Sequence, residues 1–391
     1  MACLRPAGVS GLSLCSGFPL TAGAGRLDVR NEERLENEMR TWLLTLILPL
    51  LGLGIGTAEA ATIGVVAPKS GPYALLGSQV VAGARAAAET TGDTLVEIDE
   101  SCEAENATNV AEQLAAAQAV AALGFLCSET LIAALPQLKE RGIPAITLSV
   151  RSDIVMEDAL RENWPLFRLA PAEGDEAERV TEVILDRWNA AAIALIDDGT
   201  IYGRELVSAV RAKIEAAGLT PVFVDTYRPG QEQQVALVRR LQKAGVTHVF
   251  IGGDRTDASI IARDAAAENV ALQLLGGDTM RATDRPVPLR EGVQAVALPD
   301  YAALPAASQA AAALRAKNIE PEGYILPAYA AVEIAHAVAG SEHPTQALVS
   351  TQFSTAMGTL SFGEDHELAQ NPLRLQEWRN GAFSLSDVAT D

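Results

Sequence analysis

The amino-acid sequence predicts an α/β fold in which two lobes are each built on a doubly wound parallel sheet. Short β-branched and apolar runs alternate with alanine-rich stretches of helical periodicity from residue 62 to about residue 340. Strands separated by helices of this length are typical of parallel βαβ units. The alternation occurs twice, because an irregular segment from Val150 to Pro165 separates two series. A chain of 391 residues is long enough for two such lobes.

The first series extends to about Ser149, and the second runs from Phe167 to about Leu298. The predicted strands are Ile63–Ala67, Leu95–Asp99, Ala145–Leu148, Ala192–Asp197, Val222–Tyr227, His248–Gly252 and Leu272–Gly276. The predicted helices are Gly77–Thr91, Asn109–Ala117, Asp175–Trp188, Tyr202–Ala217, Gln234–Ala244 and Asp257–Asn269. Glycine follows two of these helices, at Gly218 and Gly245, and glycine commonly ends helices. From Thr359 onward the chain returns to short strand-like pieces.

Composition restricts the function classes. Apolar residues make up 49% of the chain and charged residues 20%, which favours a folded protein with a sizeable core. Lys and Arg total 30 against 50 Asp and Glu, so the formal net charge is −20. Such an acidic chain is repelled by nucleic acids and by anionic membrane surfaces. We therefore expect neither as a partner.

A short apolar run near the beginning has the features of a secretory signal peptide. Met39 and Arg40 precede the run from Leu43 to Ile55, and Ala58 and Ala60 supply the small residues of a cleavage site. We predict a leader over residues 39–60 and a mature chain in the periplasm; a retained anchor is the alternative. Residues 1–38 are interpreted as a start codon assigned too early or as a disordered extension.

The remaining motifs favour binding over chemistry. Beyond the leader the chain has two cysteines, Cys102 and Cys127, which in an oxidising compartment form either a disulfide or two buried thiols. Walker phosphate loops and GxSxG nucleophile elbows are absent from the sequence. The four histidines lie apart from cysteines and from one another. We therefore expect no cofactor, no metal and no enzymatic activity.

Several segments, taken in order, carry a resemblance to a known family. The first are Thr62–Pro68 and Ser70–Gly77, and together the segments cover essentially the whole mature chain. The others are Cys127-Ser128, Gly142–Ile146, Leu166–Arg168, Asp197–Gly203, Gly252-Gly253, Leu275–Asp278, Tyr329–Val332 and Met357–Phe362. In this order they resemble the periplasmic branched-chain amino-acid-binding proteins, the type I substrate-binding components of ABC importers. The resemblance implies a type I periplasmic-binding-protein fold, with two lobes joined by three crossovers. We assign residues 61–170 and 300–355 to the first lobe, and 171–299 and 356–391 to the second.

The resemblance also implies roles for residues of the first lobe. In the family, the cysteine at Cys127 pairs with one about 25 positions earlier, where Cys102 stands. Ser128 would help to hold a ligand carboxylate, although it would also suit a helix N-cap. Thr147 and Ser149 would contact the same carboxylate. Arg151 departs from the family pattern: facing the cleft it would favour acidic ligands, and facing outward it would be a solvated charge.

In the second lobe, Tyr202 stands where the family has a cleft tyrosine, with core packing as the alternative. Asp278 matches an acid that pairs with the ligand ammonium. Glu173 and Asp254 are candidates near the hinge and the cleft, although carboxylates at the surface are common in so acidic a chain. Leu76 departs from the family pattern, because relatives often place a polar or aromatic side chain against the ligand at this position.

The sequence therefore predicts a monomeric periplasmic protein that captures a small polar ligand, an amino acid or a related molecule. Its partner would be the membrane permease of an ABC importer. One alternative is a sensing module, or a binding protein linked to PQQ-dependent alcohol oxidation with a ligand other than an amino acid. An enzyme on the same scaffold is a third possibility, which the fold alone does not exclude.

Overall fold

The computed structural model describes residues 60–282 and 287–386, which form two sheets with helices packed on them. Parallel strands linked through helices occur in both sheets, so the predicted α/β fold is confirmed. The predicted leader, apart from Ala60, and the residues before it lie outside the described residues. In the two described ranges, no helix has both the length and the apolar character needed to span a membrane.

The first sheet consists of five parallel strands in the order β2-β1-β3-β4-β5. Their bounds are β1 Thr62–Ala67, β2 Thr94–Asp99, β3 Ala121–Gly124, β4 Ala145–Thr147 and β5 Leu166–Arg168. Val65 in β1 pairs with Glu97 of β2 on one side and with Leu123 of β3 on the other. Side chains of β1 supply cores on both faces, since Val65 belongs to one apolar cluster and Val66 to the other.

Four helices connect the strands of the first sheet. They are α1 Ala74–Thr91, α2 Ala107–Ala116, α3 Ser128–Arg141 and α4 Asp153–Glu162. The expectation of an irregular segment from Val150 to Pro165 was wrong, because α4 occupies most of it. Val155, Met156 and Ala159 give α4 a buried face, and Asn163 ends it in the left-handed conformation with φ 54°.

The second sheet has seven strands in the order β14-β13-β10-β9-β8-β6-β7. The parallel strands are β6 Ile193–Asp197, β7 Phe223–Thr226, β8 His248–Gly252, β9 Gln273–Gly276 and β10 Gln294–Ala297. After β10 in sequence comes a separate antiparallel pair, β11 Phe353–Thr355 and β12 Gly358–Leu360. Two antiparallel strands then complete the second sheet at one edge: β13 Arg374–Arg379 and β14 Ala382–Leu385. Its helices are α5 Asp175–Arg187, α6 Ile201–Ala216, α7 Val235–Lys243 and α8 Arg255–Ala267.

Three later helices return to the first sheet: α9 Ser308–Ala316, α10 Ile325–Val338 and α11 Pro344–Ser350. Helix α10 packs closely on α1. Gly83 permits this approach, because a Cβ atom there would lie 2.0 Å from the carbonyl oxygen of Ile325. The apolar face of α10 therefore covers one side of the first sheet.

The described chain passes between the two sheets three times: after β5, after β10, and between β12 and β13. These passages are the crossovers expected for the fold. Ala356, Met357 and Phe362 pack in the core beside the first sheet. The residue boundaries assigned to the lobes from the sequence, 61–170 with 300–355 and 171–299 with 356–391, remain a prediction.

Candidate ligand-binding cleft

A cavity of about 420 Å³ lies beside segments that follow strands of both sheets. The first sheet contributes residues after β4, and the second contributes residues after β9 and β10. Residues that bear on its chemistry are Ser149, Arg151, Arg281, Leu298, Tyr301 and Tyr324. In α/β proteins, ligands bind beyond the carboxyl ends of parallel strands, where loops and helix N-termini converge. The position and size of this cavity therefore make it the candidate site.

The hydroxyl groups predicted at the first sheet are bonded mainly to the main chain. Thr147 is buried; its hydroxyl donates to the Phe125 carbonyl at 3.0 Å and accepts from the Val150 amide at 3.2 Å. Ser149 donates to the Leu126 carbonyl at 3.1 Å and lines the cavity. Ser128 begins α3, half-buried, with its hydroxyl 3.3 Å from Glu129. Of the three, Ser149 is the one at the cavity wall.

Arg151 faces the cleft, which decides between the two orientations that the sequence left open. It lines the cavity, and its Nη2 lies 3.4 Å from Oδ2 of Asp278. The two residues are 127 positions apart and follow strands of different sheets. Their ion pair therefore connects the two lobes at the cavity.

The main chain at Arg151 is held by a second arginine. Arg168, at the end of β5, is fully buried and donates to the Arg151 carbonyl oxygen. Its guanidinium also pairs with Asp153 at 3.0 Å and with Glu367 at 2.6 Å. A buried arginine needs such partners to offset the cost of leaving water. Arg168 belongs to the segment Leu166–Arg168 of the resemblance, which implied no role for it. In the structure, Arg168 positions the loop that carries Arg151.

At the second sheet, Glu176 links the side chain of Tyr202 to the main chain of Asp278. Oε1 of Glu176 accepts hydrogen bonds from the Tyr202 hydroxyl and from the Asp278 amide, each at 2.7 Å. Oδ1 of Asp278 accepts from the Leu298 amide at 3.1 Å. Tyr202 and Asp278, both predicted from the sequence, are thus brought together through a glutamate that was not predicted.

Burial determines the protonation of this cluster. The pKa of the Glu176 carboxyl is raised, first by burial and also by the charge of Asp278, while hydrogen bonds from Tyr202 and Asp278 oppose the shift. The pKa of the Tyr202 hydroxyl is raised far above its usual range by burial and by the adjacent Glu176. Tyr202 is therefore a hydrogen-bond donor at neutral pH.

The cluster depends on a glycine. A Cβ atom at Gly277 would lie 2.0 Å from Oε1 of Glu176 and 2.9 Å from the Tyr202 hydroxyl oxygen. Any larger residue would displace the glutamate, the tyrosine or the backbone of Asp278. Gly277 thus permits the close approach that makes the cluster.

The other predicted residues lie at the margins. Asp254 is the N-cap of α8 and accepts from the Asp257 amide at 3.0 Å. Glu173 is exposed just before α5, and Leu76 is half-buried in the first turn of α1. Among the predicted residues, all of which are described, only Ser149 and Arg151 line the cavity itself.

Glu176 was missed because the sequence analysis chose the acid three positions earlier, Glu173. Helical spacing could have identified it. Val180, Val183 and Ile184 are buried at positions i+4, i+7 and i+8 from Glu176, so the glutamate lies on the apolar face of α5. A carboxylate on a buried helix face needs partners, which makes it a candidate for a site.

The loop before α3 is held at two points. Cys102 and Cys127 form a disulfide with their Cα atoms 5.2 Å apart, so the predicted pairing is confirmed. The buried Glu100 accepts hydrogen bonds from the amides of Leu126 at 2.8 Å and Cys127 at 3.0 Å. Burial raises the pKa of this carboxyl to about 7.

In residues 60–282 and 287–386, no group of three or more acidic, histidine or cysteine side chains is arranged to hold a metal ion.

Comparison with known proteins gives a consistent result. Residues 60–382 match the family described as periplasmic binding protein. The Leu/Ile/Val-binding protein homolog 3 of Brucella melitensis is 29% identical over 351 residues, covering 84% of this chain and 95% of that protein.

Solved structures share the fold. A branched-chain amino acid ABC transporter protein of Rhodospirillum rubrum has a TM-score of 0.72 at 19% identity, covering 83% of this chain and 99% of its own. A solute-binding protein of an R. palustris ABC transporter, solved with benzoate, has a TM-score of 0.55 at 20% identity, covering 84% and 96%. These matches give no support to the alternative of a module linked to PQQ-dependent alcohol oxidation.

Proposed function

This chain belongs to the periplasmic binding protein family, and from that premise we propose that it is the solute-binding component of an ABC importer. It captures a small polar ligand, an amino acid or a related small molecule, and delivers it to the membrane permease. The Brucella melitensis relative is named for binding Leu, Ile and Val, and the R. palustris structure holds benzoate. Both kinds of ligand carry a carboxylate, which the ligand of this chain would share.

The observation that carries the proposal is the meeting of the two lobes at the cavity. Arg151 comes from the first sheet and Asp278 from the second, and they are 3.4 Å apart beside a space of about 420 Å³. A ligand that contacts both lobes favours the conformation in which they are close together. Capture by closure needs no bond to be made or broken, and we propose that the protein has no enzymatic activity.

The candidate residues keep the division between the lobes that the sequence indicated, with the buried Thr147 acting through the main chain that it binds and not by contact with the ligand. Ser128, Thr147, Ser149 and Arg151 belong to the side of the first lobe, and Tyr202 and Asp278 to the side of the second. Of these, Ser149 and Arg151 have the most direct support, because they line the cavity. Glu173, Asp254 and Leu76 would act only at the entrance.

We further propose that the protein is exported by a cleaved leader over Met39–Ala60 and acts as a monomer. The exported chain would begin at Ala61, since Ala58 and Ala60 are the small residues that a signal peptidase reads. N-terminal sequencing of the periplasmic form tests this. A mature chain that begins before Met39 would contradict it.

A thermal-shift screen over amino acids, amides, small carboxylates and alcohols tests the proposed function. A ligand at a hundred times its Kd adds about 2.7 kcal/mol to the free energy of unfolding. Each compound that shifts unfolding is then titrated by calorimetry and assayed for turnover. If no compound shifts unfolding, the proposed function is unsupported, and turnover of a bound compound would make the protein an enzyme.

A further inference from the structure

The acid predicted to bind a ligand ammonium already has partners at both oxygens. Oδ1 of Asp278 accepts from the Leu298 amide at 3.1 Å, and Oδ2 lies 3.4 Å from the Arg151 guanidinium. The arginine therefore occupies the place beside Asp278 that an ammonium would need. Bringing an ammonium there would either displace Arg151 or place two cations side by side, which is unfavourable.

The other acids near the cavity offer no better place. Glu176 is 7% exposed, and its Oε1 already accepts two hydrogen bonds. Asp300 accepts from the Ala302 amide, and Glu320 pairs with Arg315 at 2.8 Å. Glu322 is exposed to solvent, which screens its charge. At Asp278, Glu176 and Glu320, an α-ammonium group would have to compete with existing partners.

The cavity does offer a cation for a carboxylate. A guanidinium has five N–H donors, and in the described residues Asp278 is the only group to which Arg151 donates. The Arg151 side chain is 41% exposed, so the remaining donors are accessible from the cavity. Arg168 fixes the backbone of Arg151 by donating to its carbonyl oxygen, and Arg168 is itself held by two acids.

We propose that the ligand is a small carboxylate without an α-ammonium group, whose carboxylate is bound by Arg151. Asp278 is then a positioning residue that orients the guanidinium, and Ser149 contributes its hydroxyl at the same wall of the cavity. The inference rests on the proposed function and specifies the ligand class of that same cleft. It reverses the role that the resemblance implied for Asp278.

Calorimetry with matched pairs of compounds tests the proposal on the mature protein. The pairs are L-leucine with 4-methylpentanoate, and L-phenylalanine with 3-phenylpropanoate; each pair differs only by the ammonium group. At least one of the two acids is expected to bind about tenfold or more tighter than its amino acid. If an amino acid binds measurably and as tightly as its deaminated partner, the inference is overturned while the proposed function survives.

Two variants test whether Arg151 is responsible for the binding of the deaminated acid. Arg151→Met is expected to weaken binding of the acid about tenfold or more, and Arg151→Lys to restore part of the loss because it keeps the charge without the bidentate geometry. Arg161→Met is the matched control, since Arg161 is an exposed arginine that pairs with Asp158 and Glu162 on its own helix. Unchanged acid binding in Arg151→Met overturns the inference, and so does the failure of both acids to bind. The proposed function fails only if the wider screen also finds no ligand.

Discussion

The strand ends of the two sheets share one kind of contact and differ in a second. At the first sheet, the disulfide of Cys102 and Cys127 and the carboxylate of Glu100 fix the main chain before α3. At the second sheet, Glu176 accepts hydrogen bonds from the Tyr202 hydroxyl and from the main-chain amide of Asp278. Both edges therefore use a buried glutamate that binds main-chain amides; the first adds a covalent cross-link, and the second adds a side-chain hydrogen bond from Tyr202.

This difference suggests a division of labour between the lobes. The first edge carries Arg151 on a loop whose main chain is held by the buried Arg168. The edge of the second sheet contributes the opposite charge at Asp278, which meets Arg151 across the cavity. The following predictions test how far each edge depends on its own kind of contact.

Removing the disulfide should have the largest effect. We expect the double variant Cys102→Ala, Cys127→Ala to lose about 3–4 kcal/mol of unfolding free energy, because the cross-link closes a loop of 25 residues in the unfolded chain. Urea unfolding measures the loss, and reduced wild-type protein is the control that should show a similar value. A double variant as stable as the oxidised wild type would mean that the first edge does not depend on its cross-link.

The buried Glu100 should make stability depend on pH. Its pKa of about 7 in the folded protein is above the value of an unfolded glutamate, so the folded state binds the proton more tightly. The contribution is therefore fully present at low pH and is lost as pH rises through about 7, a loss of about 3 kcal/mol between pH 5 and pH 8. Glu100→Gln should lack this component, whereas the exposed Glu105→Gln should retain it. If the unfolding free energies of wild type and Glu100→Gln change with pH in parallel, Glu100 is not the cause of the pH dependence.

Gly277→Ala should disturb the second edge. The new Cβ would collide with Glu176 and approach Tyr202, and overpacking of this kind costs about 1–3 kcal/mol. Chemical unfolding measures the change, and calorimetry should show weaker binding of whichever ligand the screen identifies. Gly174→Ala is the matched control, because a Cβ there meets nothing within 4 Å and the backbone is already helical. Equal stabilities of the two variants would refute the close packing at Gly277.

Thr147→Val should have the smallest effect. It removes a buried hydroxyl that donates to the Phe125 carbonyl and accepts from the Val150 amide, a loss of about 1–2 kcal/mol. Urea unfolding measures it against Thr220→Val, which changes an exposed threonine. If both variants are equally stable, the hydroxyl of Thr147 does not help to hold the first edge.

Strands and helices with a clear hydrophobic period were predictable. The strand His248–Gly252 has the bounds that its apolar run predicts, and Asp175–Arg187 lies within one residue of the predicted helix. The strand Ala121–Gly124 was missed because two alanines and a glycine carry little strand propensity, and only burial between helices makes it a strand. Local strand propensity is a weak predictor where tertiary packing decides whether a segment forms a strand.

The site was predictable only in part. The resemblance indicated the disulfide that the structure contains and assigned Tyr202 and Asp278 to the cleft side of the second lobe, but it named Glu173 and not Glu176, which binds both of them. Arg151 lines the cavity on a loop whose backbone is held by Arg168, and Arg168 is in turn paired with Asp153 and with the distant Glu367. No local pattern contains that information.

By itself the sequence determined the α/β class and the family, because periodicity and ordered motifs are properties of the chain read in order. The tertiary structure decided which charges meet. Asp278 lies 127 residues from Arg151 and 102 residues from Glu176, and each pair forms only when separate strands end at the same cleft. The interaction of charges falls with distance in space and with exposure to water, not with separation in sequence. The pairing of Asp278 with Arg151, and with it the proposed ligand class, could therefore be read only from the folded protein.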